Sequence, residues 1–588
     1  MQNIINTYTQ NITTNSLKLK SIKKKLLVSS MVRLSIFLVT AFTMYYFFGN
    51  TPIVILSMVL GIAVFLFLIS KHTDLVKTKK YLQAIIEVNQ NEINGLNNDL
   101  SAFDNGEKYK NPLHHFSHDI DLFGLNSFFH HINRTNRNES ESFLASMLSS
   151  NSIDNIEQKQ VAIKELAEYV DWRQNYSVST KLIETKVSSK AIFSWLNEYK
   201  VFITKPFYYL GLAFPFITLA IFGAYFINLI PESYILYMLL AGLGITSIFL
   251  KKITKLSNHA SEFKEVMSQY SNLLIEIENK TFTSDLLIEN QNKIKSESKK
   301  ASTILIELSK YIDALDQRNN MLFGVVGNGY LLWDIKQVYK IEKWIESYKS
   351  KVKNWFDVIE FFDAYNSLGN FAHNHSDFNY PNLVNNTVIE ASELGHFMID
   401  KYVRISNDVS IDKNNFIIIT GANMAGKSTF LRTIALNIVS ANIGLPICAK
   451  SFNYSPIKLI SSMRTSDSLL DDESYFFSEL KRLKFIVDEI KTDNYFIILD
   501  EILKGTNSKD KEEGSKKFVQ KLVASKSTGI IATHDLGLCT IEEQLPQVKN
   551  KYFDAEIIND ELFFDYKYKE GICQNMNASF LLKKMGIV

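Results

Sequence analysis

Four long apolar runs interrupt an otherwise polar chain. They cover residues 26–48, 52–70, 206–230 and 234–250. Each run is close to the ~20 residues that an α-helix needs to cross ~30 Å of hydrocarbon. The runs form two tight pairs, so the pattern predicts four transmembrane helices in two hairpins. Two alternatives are helices buried in a large soluble core and a cleaved signal peptide, but a signal peptide has one shorter apolar region.

Lysines crowd one side of both predicted hairpins. They precede and follow each pair of runs, whereas the connecting turns at 49–51 and 231–233 carry only Glu232. The positive-inside rule then directs both turns outward. Arg33 lies near the start of the first run, where its side chain can reach the headgroups. We expect a multi-pass protein of the cytoplasmic membrane, with the N-terminus and every large soluble segment in the cytoplasm.

Outside these runs the spacing of apolar residues is mainly helical until about residue 400. A chain of 588 residues is too long for one hydrophobic core. We expect a multidomain protein with an all-α region followed by an α/β domain. The predicted segments are a basic N-terminus (1–25), the first hairpin (26–71), a helical segment (72–205), the second hairpin (206–250), a second helical segment (251–400) and the α/β domain (401–588).

Charge and cysteine content narrow the function classes. Lys plus Arg number 64 against 62 for Asp plus Glu, a net charge of +2, so any DNA contact would need a local basic patch. The three cysteines, Cys448, Cys539 and Cys573, have neither disulfide nor metal-ligand spacing. We expect buried free thiols in a reducing compartment. The histidines between 114 and 131 match no metal-site spacing, and we interpret them as structural.

The α/β domain opens with a strand, a glycine-rich loop and a helix. This order, with the spacing G-x-x-x-x-G-K-S, is the context of a phosphate-binding loop, and the residues are Gly421, Ala422, Asn423, Met424, Ala425, Gly426, Lys427, Ser428 and Thr429. The glycines allow backbone N–H groups to point at phosphate oxygens. Lys427 would neutralise the β- and γ-phosphates, and Ser428 would bind Mg²⁺. The loop predicts ATP and Mg²⁺ as ligands.

Two later strands end in ionisable residues. The apolar strand 495–499 leads into Asp500 and Glu501, and the strand 529–532 leads into Thr533 and His534. In a P-loop NTPase the first carboxylate supports Mg²⁺ and the second orients or deprotonates the attacking water. His534 would lie beside the γ-phosphate. We therefore predict hydrolysis of ATP to ADP and phosphate, with Glu501 and His534 catalytic and with Ser428 and Asp500 as metal ligands.

The motifs taken together resemble the MutS family of DNA mismatch-repair ATPases. They are GANMAGKST at 421–429, SYFFSE at 474–479, LDEI at 499–502, KGTNS at 504–508 and ATH at 532–534. The resemblance implies that Ser474 reaches the nucleotide of a partner subunit and that 505–508 links two composite sites, hence a homodimer. It also implies that Tyr402 and Tyr552 sandwich the adenine and that 328–372 is similar to the family's lever.

The sequence departs from the family pattern at several places. Because the segment before the first run is short, we expect the family's mismatch-reading domain to be missing, and the second hairpin interrupts the helical core. Leu503 and Lys504 replace a Gly-Arg pair, and Lys511 replaces the glycine that follows the Asp at 510. These changes concern the coupling of the sites more than ATP binding.

The sequence leaves more than one function open. By resemblance the chain is a membrane-anchored, dimerising ATPase that binds mismatched or branched DNA. The alternative is a mechanochemical ATPase that acts on a membrane or protein process without DNA specificity. A transporter is a third class. It is disfavoured because only Arg33 is ionisable within the runs, although eight helices in a dimer leave it open.

Overall fold

A computed structural model describes residues 2–183, 188–295, 299–464, 475–504, 506–558 and 561–574. Up to residue 374 the described chain is α-helical. Its helices are α1 (Gln2–Tyr46), α2 (Thr51–Leu96), α3 (Phe128–Ile132), α4 (Asn138–Ser149), α5 (Ile156–Glu168), α6 (Val170–Lys181), α7 (Ser189–Glu198), α8 (Lys205–Phe226), α9 (Ser233–Asn279), α10 (Asp285–Asn292), α11 (Ala301–Asp316), α12 (Met321–Leu331) and α13 (Trp333–Asn374).

Four of these helices are long and apolar enough to cross a membrane, namely α1, α2, α8 and α9. No residue in the apolar windows of α1 and α2 is buried in the folded chain, and only 17% of those in α8 and α9 are. Three of the four helices extend well beyond the apolar run: α9, for example, contains 47 residues and enters the helical body with its C-terminal half. The apolar runs of α1, α2 and α9 are therefore continuous with the polar parts of the same helices, because no proline or glycine separates them.

The long helix α13 forms the axis of the helical body. It packs against α4, α5, α9 and α11, and the close approach of α5 requires Gly369, where a side chain would meet the backbone of Leu166. At its C-terminal end a buried polar network joins it to the C-terminal part of α2. The Glu92 carboxylate accepts bonds from Arg134 Nε (2.7 Å), Asn370 Nδ2 (2.9 Å) and Asn374 Nδ2 (3.0 Å).

The C-terminal part is an α/β domain. Its strands are β1 (Asn382–Leu383), β2 (Thr387–Leu394), β3 (Asn407–Asp412), β4 (Phe416–Gly421), β5 (Ser451–Tyr454), β6 (Lys458–Ser462), β7 (Tyr495–Asp500), β8 (Thr528–Ala532), β9 (Val548–Phe553), β10 (Glu556–Ile558), β11 (Glu561–Phe563) and β12 (Lys569–Glu570). Its helices are α14 (Lys427–Asn442), α15 (Tyr475–Glu489), α16 (Ser508–Ala524) and α17 (Ile541–Gln544).

The main sheet has the order β12-β9-β4-β8-β7-β6, and the strands from β9 to β6 are parallel. A smaller sheet has the order β1-β5-β2-β3. Ile419 and Asp500 both pair with Ala532, so β4, β7 and β8 end at the same level. In parallel sheets, loops at this edge bind ligands.

The coarse architecture confirms the prediction from sequence: a helical N-terminal region, four long apolar helices and a C-terminal α/β domain. The three cysteines are buried, as expected, and form no disulfide bond with one another within the described ranges. His130 is structural, since its Nε2 lies 3.0 Å from Leu100 O. Within the described ranges, no group of three or more His, Cys, Asp or Glu residues could hold a metal ion.

Candidate functional site

The loop between β4 and α14 depends on two glycines. Gly421 has φ +153°, and a β-carbon there would lie 2.5 Å from Phe553 O. Gly426 has φ +101°, which L side chains rarely adopt, and a β-carbon there would lie 3.0 Å from the Tyr566 ring. The loop ends at the first turn of α14, where unpaired N–H groups and the helix dipole favour an anion.

Lys427 points back into the loop. Its Nζ donates to Gly421 O (2.7 Å) and Ala422 O (2.9 Å) and lies 3.3 Å from His534 Nε2. Burial lowers the pKa of Lys427, while Asp500 and Glu501 act in the opposite direction. The buried ammonium group of Lys427 is thus held by hydrogen bonds to two carbonyl oxygens of the loop. Phosphate oxygens can replace these carbonyl oxygens as acceptors.

Ser428 and Asp500 meet at the end of β7. The Ser428 hydroxyl donates to Asp500 Oδ2 at 2.6 Å. Burial raises the pKa of Asp500, and the bond from Ser428 opposes that change. A hydroxyl and a carboxylate are hard oxygen donors, and Mg²⁺ in phosphate sites is bound by one or two such side chains together with phosphate and water. The donor set therefore fits Mg²⁺.

Glu501 follows Asp500 in a left-handed backbone conformation, with φ +51°. Its amide donates to Ala532 O at 2.9 Å, which fixes the turn after β7 against β8. Its carboxylate lies 3.6 Å from Lys504 Nζ and 3.8 Å from Lys511 Nζ. Both lysines occupy positions where the sequence departs from the family pattern. The second carboxylate of the pair is thus surrounded by positive charge.

His534 lies across the loop from Glu501. Burial lowers the pKa of His534, and the neighbouring Lys427 ammonium lowers it further. The imidazole is accordingly neutral near pH 7, with Nε2 directed at Lys427 Nζ. A neutral ring can accept or donate one hydrogen bond at this position, depending on its tautomer.

These residues line one cavity of about 620 Å³. The loop residues from Ala422 to Thr429, Asp500, Glu501 and His534 are part of its lining. The lining also includes a mostly apolar set, namely Leu394, His396, Ile399, Val403, Ile405, Phe553 and Tyr566. The cavity thus combines polar groups that suit phosphate with apolar surface of the kind that accepts a flat ring.

Several predicted site residues lie elsewhere. Tyr402 is exposed and Tyr552 lies in β9 beneath Lys569, and neither lines this cavity among the described residues. His396 and Tyr566 line it instead, and no local motif marks either residue in the sequence. Ser474 and Gly505 lie outside the described residues, so their predicted roles stay predictions.

Glu479 is the last residue of the SYFFSE motif, and the sequence did not predict a role for it. Its carboxylate accepts the amides of Leu503 (2.5 Å) and Lys504 (3.0 Å), and it is buried. It thus ties α15 to the segment that follows Glu501. Asn507 caps α16 by accepting the Asp510 amide at 2.9 Å. Both contacts fix the chain on either side of position 505.

Comparison with known proteins gives matches in the same region. The family described as MutS domain V matches residues 417–583. The "DNA mismatch repair protein MutS" of Finegoldia magna is 31% identical over 239 residues, which is 39% of this chain and 28% of that protein. The "MutS protein homolog 4" of Homo sapiens is 30% identical over 179 residues, which is 29% of this chain and 19% of that protein.

A further relative matches a similar share of this chain. The "DNA mismatch repair protein MutS" of Fusobacterium nucleatum is 31% identical over 204 residues, which is 33% of this chain and 22% of that protein. The chain thus spans less than a third of the length of these curated relatives.

Proposed function

We propose, from the premise that the C-terminal part of this chain belongs to the MutS family, that the protein is a membrane-anchored ATPase. It hydrolyses ATP to ADP and phosphate with Mg²⁺, and closure of two ATPase domains around nucleotide moves the helical body at the cytoplasmic face of the membrane. One observation carries the proposal: Lys427, Ser428, Asp500, Glu501 and His534 converge on one glycine loop at the carboxyl edge of a parallel sheet.

The loop would bind the phosphates of ATP. The backbone N–H groups from Asn423 to Ser428 and the N-terminus of α14 favour the phosphate charge. Lys427 would exchange its two carbonyl bonds for phosphate oxygens, which gains the interaction of opposite charges. Replacing Lys427 removes the only ammonium group that the loop itself supplies.

Ser428 and Asp500 would hold Mg²⁺, which when bound neutralises charge on the β- and γ-phosphates. Glu501 would orient the attacking water or accept its proton, and its turn is fixed by the bond to Ala532. His534 would contact the γ-phosphate as a neutral imidazole, because burial and Lys427 lower its pKa. These roles need no movement of the β-strands.

The apolar part of the cavity lining would contact the adenine. Val403, Ile405 and Tyr566 belong to this lining and offer flat or branched apolar surface. Tyr402 and Tyr552 remain predictions from family resemblance. Tyr566→Ala should weaken ATP binding, whereas Tyr402→Ala should leave it unchanged if the cavity residues make the contact. Equilibrium binding of a fluorescent ATP analogue distinguishes the two sets of residues.

The membrane and the partner subunit complete the proposal. The four long apolar helices would cross the cytoplasmic membrane as two hairpins, with the basic segments 18–25 and 251–255 inside. Ser474 and the segment 505–508 would reach the site of a second copy, so that a homodimer contains two composite sites. Segment boundaries near 26, 72, 206, 251 and 401 belong to the same proposal.

Two targets of this ATPase can be tested. The first is mismatched or branched DNA, which the printed names of the relatives suggest. The second is a membrane or protein process, which is favoured by a specific observation: buried hydrogen bonds join Glu92, near the end of the helix α2 that continues the first apolar hairpin, to the end of α13, and the chain enters the sheets of the α/β domain directly after it. Movement of the ATPase domain would thus reach the hairpin.

The test is steady-state ATP hydrolysis by the full chain in nanodiscs, with plain, mismatched and branched DNA at two salt concentrations. Lys427→Ala is the inactive variant, and Lys450→Ala is its matched control, because Lys450 is exposed and does not line the cavity. Stimulation by mismatched or branched DNA that weakens at high salt would support DNA as the target. Hydrolysis that depends on Lys427 but not on any DNA would support a membrane or protein process. Hydrolysis that survives Lys427→Ala would contradict the proposed site.

A further inference from the structure

The short helix α12 lies against the apolar part of the second hairpin. A side chain at Gly242 of α9 would meet Asn328 O at 2.7 Å, so the two backbones touch. The Thr218 hydroxyl of α8 donates to Tyr330 O at 2.8 Å, and the rings of Phe222 and Tyr330 are 5.4 Å apart. All of these hairpin residues lie within the two apolar runs. The helix α12 therefore packs on the hairpin at the depth of the runs.

The contacts at the two ends of α12 give its direction. Arg318, just before α12, donates to the Thr254 hydroxyl at 3.3 Å. Thr254 lies among the lysines that follow the apolar run of α9. From Thr254 to Gly242 the distance along α9 is about 18 Å, at ~1.5 Å per residue. After α12 the chain returns, and Tyr339 of α13 stacks on Tyr208 near the start of α8, with 4.0 Å between ring centroids. The segment thus enters and leaves on the same side.

The composition of this segment suits a membrane. Between residues 317 and 335 the charged residues are Arg318 and Asp334. These two pair at 2.9 Å, and Asp334 is fully buried. The side of α12 that faces away from the hairpin exposes large apolar side chains, namely Met321, Leu322, Val325 and Val326. This face continues the exposed apolar surface of α8 and α9, which in water would be an unfavourable patch.

The backbone at the end of α12 is also satisfied without water. The amide of Leu332 donates to Gly327 O, and the amide of Asp334 donates to Asn328 Oδ1 at 2.9 Å. Leu332 itself is buried in a left-handed conformation, with φ +46°. Non-helical backbone is tolerated at membrane depth where protein covers it in this way.

We propose that α12 and its turn at Leu332 form a re-entrant element in the inner leaflet, with lipid acyl chains against Met321, Leu322, Val325 and Val326. The inference rests on the proposed membrane anchoring of the hairpins. An apolar helix of eleven residues is too short to span, but it has the length of a re-entrant segment. The membrane part would then contain a fifth element, and this element leads directly into α13 and so toward the ATPase domain.

Spin labels test this in the full chain reconstituted in nanodiscs. Single added cysteines at Val326, Leu240 and Val161 carry the label, and these three side chains are similarly exposed, at 51%, 55% and 54%. Leu240 lies in the apolar run of α9 and Val161 in the soluble helix α5. The native cysteines are buried, and the labelled parent protein gives the blank. Collision rates with oxygen, which partitions into lipid, and with a water-soluble nickel chelate are measured at each site.

The proposal predicts that Val326 resembles Leu240, with more collisions with oxygen than with nickel, and that Val161 shows the reverse. A second label at Leu322 should lie up to about 6 Å shallower than Val326, one helical turn nearer Arg318. Nickel access at Val326 with oxygen access at Leu240 would overturn the re-entrant element and leave the anchoring intact. Nickel access at both sites would overturn the anchoring itself. Protection of Val326 from both reagents would also overturn the proposal, since a protein partner would then cover the face.

Discussion

Replacing Glu92 with alanine tests the link between the C-terminal part of α2, which continues the first apolar hairpin, and the helical body. The Glu92 carboxylate accepts three bonds, from Arg134, Asn370 and Asn374, at 2.7 to 3.0 Å. The side chains of Glu92 and Arg134 are only 6% and 12% exposed. Glu92→Ala leaves Arg134 without its ion partner and both amides without an acceptor, so the C-terminal part of α2 should separate from α13 more readily.

The free energy lost in Glu92→Ala follows from the burial of this ion pair. Removing one partner of a buried ion pair costs about 3–5 kcal/mol. Arg134 keeps bonds from Nη1 to the carbonyl oxygens of His131 and Asn133, and its guanidinium stacks 3.7 Å from the Phe103 ring. These remaining contacts favour the lower end, about 3 kcal/mol. A loss of that size corresponds to roughly a 100-fold increase in the local opening equilibrium, at ~1.4 kcal/mol per factor of ten.

Hydrogen–deuterium exchange measured by mass spectrometry on peptides that cover 80–96 is the assay. Glu87→Ala is the matched control, because Glu87 lies on the same helix and its ion pair with Lys181 is solvent-exposed. Exposed pairs contribute about 0–1 kcal/mol, so the control should change exchange by less than about 5-fold. Equal exchange in Glu92→Ala and Glu87→Ala would refute the reasoning that this network fastens the hairpin.

Three further predictions concern the site and its surroundings. Ser428→Ala should raise the Mg²⁺ concentration needed for half-maximal hydrolysis by at least ~10-fold, since one proposed oxygen ligand is lost; an unchanged Mg²⁺ titration would exclude that role. Gly426→Ala should weaken ATP binding in equilibrium titrations, because φ +101° strains alanine by ~1–3 kcal/mol and the β-carbon meets Tyr566, whereas Gly49→Ala, with open space around it, should not. Burial lowers the pKa of His375 to about 4. The unfolded chain takes up that proton near pH 6.5, so stability falls as pH drops from ~6.5 toward 4. In thermal unfolding at pH 7 and 5, His375→Gln should therefore lose about 1–2 kcal/mol less than the parent, and equal losses would contradict this.

The grouping of the candidate site residues could be predicted because its parts follow local sequence rules. A glycine loop after an apolar strand, and carboxylates after a second strand, meet wherever parallel strands end together, and the pairing of Ile419 and Asp500 with Ala532 produces that alignment. The strand predicted at 416–420 extends over Phe416–Gly421 in the fold. Hydrophobic length similarly predicted the four long apolar helices, because that signal also lies within one segment.

Contacts between distant segments were not predictable from the sequence. Glu92 meets Asn374 across 282 residues, and only the packing of α2 against α13 brings them together. The apolar wall of the cavity has the same origin, since His396 and Tyr566 reach it from opposite ends of the domain. The sequence did not predict the proposed role of Met321–Leu331, because a mostly apolar helix of eleven residues is equally typical of a soluble core.

The most direct test of the central claim is a single-turnover measurement with radiolabelled ATP and the full chain in nanodiscs. The parent protein should bind ATP and convert it to ADP. Glu501→Gln should bind ATP but hydrolyse it at least ~100-fold more slowly, because the group that handles the water proton is lost. Lys427→Ala should retain no ATP. Hydrolysis by Lys427→Ala at the parent rate, or no ATP binding by the parent protein, would contradict the account.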